Sequence, residues 1–184
     1  MSASCSTEPA RRDLAGTTVN TRVDVEGATA DYSCRFGTEP NLARGPLVQV
    51  QSLPAERWAS EVPKLIDQLR SSGNPLATTQ KDKLDAALRL VGDGTDVDPA
   101  IACDIFVNVA AANGATDDAS RVVSVVEVSP GVSAVSAQTC TDQRVTSVVL
   151  SGPDVAGSPA EQDAALTALD LAHEAAVQGT SDVD

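Results

Sequence analysis

The stretch Asp98-Pro99-Ala100-Ile101-Ala102-Cys103-Asp104-Ile105-Phe106-Val107-Asn108-Val109-Ala110-Ala111-Ala112-Asn113-Gly114 admits two readings, and the fold turns on which is taken. Ile101, Ile105 and Val109 recur at helical spacing. Cys103, Ile105, Val107 and Val109 also alternate, as the residues of a strand do. The ends decide the matter. Asp98-Pro99 pairs a capping side chain with a proline at the first helical position. Ala110-Ala111-Ala112-Asn113-Gly114 has the composition of a helix end. We therefore read residues 101–112 as a helix.

Outward from that helix, the second half of the chain continues with strands. Arg121 to Val128 is dense in valine and suits a central strand. A second run carries Ala137-Gln138-Thr139-Cys140, and a third is Arg144-Val145-Thr146-Ser147-Val148-Val149-Leu150. Ser158-Pro159-Ala160-Glu161 then has a serine N-cap, a proline at the first helical position and a glutamate at the third. The helix it opens carries Leu166, Leu169 and Ala176 on one face.

The first half offers a similar order of weaker signals. Cys5 precedes Gly16 by eleven residues, as Cys103 precedes Gly114. Ala30, Tyr32, Cys34 and Phe36 share one side of a strand, and Val48 and Val50 alternate with Gln49 and Gln51. Pro54-Ala55-Glu56 matches Pro159-Ala160-Glu161, at 20 residues after Cys34 and 19 after Cys140. Trp58, Val62, Leu65, Ile66 and Leu69 then fall at helical spacing, with Pro63 expected to interrupt the helix or restart it after Ser60. A further helix is predicted from Thr79 to Val91, closed by Gly92.

These matches predict an α+β fold of one domain, residues 1–184, built from two related helix–strand–strand–strand–helix halves. The first pseudo-repeat spans about 5–70 and the second about 99–177, with a helix-bearing linker over about 71–98. Antiparallel sheet should pack against helices, with Leu166 and Leu169 sharing a core with Trp58, Leu65 and Ile66. Trp58 is expected to be mostly buried, and a ligand site is expected where the halves meet.

Four cysteines, Cys5, Cys34, Cys103 and Cys140, are widely spaced and lack any Cys-x-x-Cys pairing, so disulfides fit them better than a zinc site. The repeat pairs them within halves, Cys5–Cys34 and Cys103–Cys140, which implies an oxidising compartment. Cross-links suit a chain with only Tyr32, Phe36, Trp58 and Phe106 as aromatics, because small aliphatic side chains bury little area each.

The net charge of −13, from 13 basic and 26 acidic residues, disfavours nucleic-acid and anionic-lipid partners. No apolar run reaches the ~20 residues of a membrane span. Met1-Ser2-Ala3-Ser4-Cys5 is too short for a signal peptide and is read as what remains after one is removed.

Candidate chemistry is sparse. The single histidine, His173, lies beside the apolar face of the last helix and reads as structural. No Gly-x-Ser-x-Gly elbow, Ser-x-x-Lys pair or phosphate loop is present. Asp93, Asp96 and Asp98 form an acidic loop cluster that is chemically able to meet calcium but lacks the EF-hand spacing; it reads as a solvated loop with Asp98 as a cap. No catalytic, cofactor or metal residues are assigned.

The layout of Cys103-Asp104-Ile105, an alanine-rich helix to Gly114, strands bearing a second cysteine, then Pro-Ala-Glu and a terminal helix resembles secreted lipoproteins and sensor-type domains of actinobacterial cell envelopes. The resemblance implies an envelope-facing module with disulfides and a sheet-plus-helix fold, and it implies no catalytic residues. Ser2-Ala3-Ser4-Cys5 is similar to the end of a lipobox, in which Cys5 would be acylated. Ser2 stands where leucine or a like residue belongs, and the repeat gives Cys5 a disulfide role instead. The expected function is binding or sensing of a small ligand or an envelope protein. A structural role in the envelope, or an enzyme using carboxylates, are the alternatives.

Overall fold

The computed structural model describes residues 22–23, 32–37, 47–73, 75–92, 97–113, 115 and 119–181. In chain order the elements are β1 (Arg22–Val23), β2 (Tyr32–Gly37), β3 (Leu47–Pro54), α1 (Ala55–Ser71), α2 (Pro75–Thr79), α3 (Lys81–Val91), α4 (Pro99–Ala112), β4 (Arg121–Ser129), β5 (Val132–Thr141), β6 (Arg144–Gly152) and α5 (Pro159–Ser181). The fold is α+β. The six strands form one sheet in the order β1-β2-β3-β6-β5-β4.

The sheet is antiparallel. β2 pairs with β1 and β3 in that sense, with Cys34 opposite Val50. Between β3 and β6, Ala55 N–H donates to the Gln143 carbonyl (2.8 Å) and Ser52 lies against Thr146, so numbering rises on one strand as it falls on the other. β5 and β6 are joined by Asp142 and Gln143, both at positive φ (50° and 56°), the two-residue turn whose twist matches a hairpin. The β4–β5 turn is Pro130-Gly131, with Gly131 at φ 75°, a left-handed conformation that glycine adopts at no steric cost.

Helix starts follow the local signals. Asp98 Oδ1 accepts from Ala100 N–H (2.8 Å) and Pro99 opens α4, so the helical reading of 101–112 holds. At α5, Ser158 N–H and Oγ both donate to Glu161 Oε2 (2.7 and 2.9 Å), the reciprocal capping box the sequence predicts. The helix expected from Thr79 to Val91 is α3, which begins at Lys81 and closes at Gly92, and a short helix, α2, ends just before it at Thr79. Pro63 does not interrupt α1, which runs unbroken from Ala55 to Ser71. A proline forfeits one helix hydrogen bond, and the packing of the helix's apolar face outweighs that loss.

The chain divides into two compact units. One comprises residues 1–52, 123–139 and 146–184; the other comprises 53–122 and 140–145. In the first, Val48, Val50, Val135, Ala137, Val148 and Leu150 of the sheet pack with Ala165, Ala168, Leu169 and Ala172 of α5. In the second, Ala55, Ala59, Val62 and Ile66 of α1 pack with Leu84, Ala87 and Val91 of α3 and Ala102, Ile105 and Phe106 of α4, together with Cys140 and Val145.

These clusters correct the expected shared core: Leu166 and Leu169 belong with the first set, Trp58 and Ile66 with the second. Leu65 is in neither and is 44% exposed. The buried stripe of α1 is centred on Ala55, Ala59 and Ile66, about 100° per residue around the axis, which sets Leu65 far out on the flank. Trp58, on the same flank, is mostly buried as expected, though not sealed: it packs against the second cluster and is tilted on Phe106 with ring centroids 5.5 Å apart.

The two halves are also unequal in a way the cysteine-to-proline spacing hides. From Cys140 the chain reaches β6 through a two-residue turn and then uses residues 153–158 before α5. From Cys34 it has residues 38–46 before β3, and α1 follows β3 directly. The 20- and 19-residue spacings are thus divided between different elements.

Candidate functional site

The one hydroxyl–imidazole chain among the described side chains runs through Ser52, Thr146 and His173. Alternation along β3 places Val48, Val50 and Ser52 on one face, and along β6 it places Thr146, Val148 and Leu150 on one face. Each apolar row therefore ends in a hydroxyl. Ser52 Oγ and Thr146 Oγ1 are 2.9 Å apart, and Thr146 Oγ1 is 2.9 Å from His173 Nδ1 on α5. The two-residue turn between β5 and β6 brings Thr139, also buried, opposite Thr146.

Ser52 and Thr146 are both 0% exposed, and His173 is half-buried. A nucleophile must reach its substrate, and these hydroxyls are sealed. This chain of contacts satisfies buried polar atoms and ties the imidazole ring to Thr146 of the sheet. Sequence reading missed Ser52 and Thr146 as its partners. The signal was there in the alternating runs that end in Ser52 and begin with Thr146.

Cys103 on α4 and Cys140 on β5 form a disulfide, with Cα atoms 5.4 Å apart and a sequence separation of 37. That bond excludes the swapped pairing of Cys5 with Cys103. Cys34 lies in β2, while its expected partner Cys5 lies outside the described residues. Asp93 and Asp96 of the acidic loop also lie outside them; Asp98 is the α4 cap. Among the described residues no group of His, Cys, Asp or Glu is placed to hold a metal ion. No helix among them is long and apolar enough to cross a membrane.

Two carboxylates are held below their usual range by structural contacts. The Lys81 ammonium (2.7 Å) and then the Arg70 guanidinium (2.7 Å) lower Asp85, tying α1 to α3. Burial works to raise Glu161, but the Ser158 N–H and hydroxyl and the N–H groups of Ala156 and Gly157 outweigh it. Ser151 Oγ on β6 is buried without a hydrogen-bond partner. Comparison with protein-family models, with characterised proteins and with solved structures found no match.

Proposed function

We propose that the chain is an extracytoplasmic, non-catalytic binding or sensory module of a bacterial cell envelope. The observation that carries this reading is the Cys103–Cys140 disulfide, because such bonds persist in oxidising compartments and are rare where thiols are kept reduced. The bond joins a helix to a strand inside a core rich in alanine and valine, where a covalent tie adds stability that small side chains supply poorly. A second bond, Cys5–Cys34, completes this scheme. The strand order supports descent from a duplication, since β1-β2-β3 is followed by β6-β5-β4 with the third strand of each half at the centre. A small ligand or an envelope protein is the partner; a lipid anchor on the native precursor is compatible with this placement.

A membrane-impermeant amine label applied to intact cells of the chain's own source tests the compartment. Labelling before lysis supports the reading. Labelling only after lysis would overturn it. A second reading, a structural or assembly role in the envelope, is favoured by the exposed valines of β4, whose geometry leads to the following inference.

A further inference from the structure

We propose that β4 is a self-association edge, to which a second copy of the chain adds its own β4 in antiparallel pairing. β4 stands last in the sheet order, beside β5, and no described strand pairs with its other side. Open edges are ordinarily blunted by proline, lysine, a bulge or short length. β4 has neither proline nor lysine, and its nine residues exceed the roughly 5–6 of a common strand. Val125 and Val126, which alternation places on opposite faces, are 45% and 43% exposed.

The symmetry of Arg121-Val122-Val123-Ser124-Val125-Val126-Glu127 selects a second copy as the occupant. Valines and then opposite charges lie at equal distances on either side of Ser124. In an antiparallel pair centred on Ser124, Arg121 of each copy faces Glu127 of the other, and each valine faces a valine. For a chain of net charge −13, few self-contacts would bring opposite charges together.

The backbone fits the same register. Cys140 N–H donates to the Ser120 carbonyl (2.9 Å) just before β4, and along a strand the backbone groups turn alternately toward one neighbour and toward the other side. The centred register pairs residues of like parity, 121 with 127 and 122 with 126, so whichever groups turn to the open edge meet groups that do the same. A slip of one residue would set outward groups against groups already bonded to β5. A slip of two would place Arg121 against Val125. Glu127 Oε1 also accepts from Gly131 N–H (3.0 Å), which holds this carboxylate near the hairpin end of the strand.

Sedimentation equilibrium on the full chain tests the proposal, with circular dichroism to confirm folding. The wild type should form a concentration-dependent dimer of twice 18.8 kDa. Arg121→Glu and Glu127→Arg each set like charges opposite one another twice, and each should weaken dimerisation on the order of tenfold. The double variant R121E/E127R should recover it, and mixing the two single variants should give a mixed dimer. Val125→Lys, at an exposed position, should weaken it without touching either charge. A chain monomeric up to about 1 mM overturns the proposal. So does a dimer indifferent to the single reversals, a double variant that does not recover, or a monomer that binds a foreign extended peptide instead.

Discussion

Glu161 shows what a single side chain contributes. Its carboxylate accepts from Ser158 N–H and Oγ, and these bonds require the charged form. Its folded-state pKa is lowered, so its stabilisation is complete above the unfolded carboxylate range and is lost as pH falls through the folded value. Urea melts across that acid range should show stability falling more steeply for the wild type than for Glu161→Gln. At neutral pH, Ser158→Ala should cost about 1 kcal/mol. Thr146→Val removes a fully buried hydroxyl that meets both Ser52 and His173, and should cost about 1–3 kcal/mol by the same melts. The two sites differ in legibility. A capping box is local, spanning four residues, and is readable directly. The partnership of Thr146 with His173, 27 residues apart, depends on which face of β6 meets α5, and that is fixed only once the strands are in register.

At the level of elements, the disulfide between α4 and β5 should be worth about 4 kcal/mol for a closed loop of its 37-residue separation in the chain-entropy account. The variant with Cys103→Ala and Cys140→Ala should lose a stability of that order in denaturant unfolding, and an unchanged midpoint would contradict it. Trp58→Ala should cost about 3 kcal/mol, the low end of the ~3–5 of a buried tryptophan, because the ring packs on the core and on Phe106 without being sealed. Helix positions were legible from Asp98-Pro99 and Ser158-Pro159-Ala160-Glu161, whose caps act within one turn. The burying face of α1 was legible in part: Val62 and Ile66 are buried as read, while Leu65 is exposed. Weight went to the large residues Trp58, Leu65 and Leu69, whereas Ala55 and Ala59 mark the line of closest approach, and alanine carries little apolar signal by itself. The same bias overlooked Ala165, Ala168 and Ala172 on α5.

Across the whole molecule, the class of fold was legible because strand alternation and helix caps are frequent and mutually consistent. The distribution of the core was not, since it depends on which strand face each helix meets. Val145 and Thr146, consecutive in β6, point to different partners: Val145 joins the cluster with α1, α3 and α4, and Thr146 meets His173 of α5. The functional reading rests on the compartment, and the compartment rests on the state of two thiols. The most direct test is non-reducing peptide mapping of the protein taken from its own cells, with free thiols alkylated at the moment of lysis. The account predicts a peptide carrying Cys103 joined to one carrying Cys140. Recovery of both cysteines alkylated and unlinked would contradict it, and the extracytoplasmic assignment would fall with it.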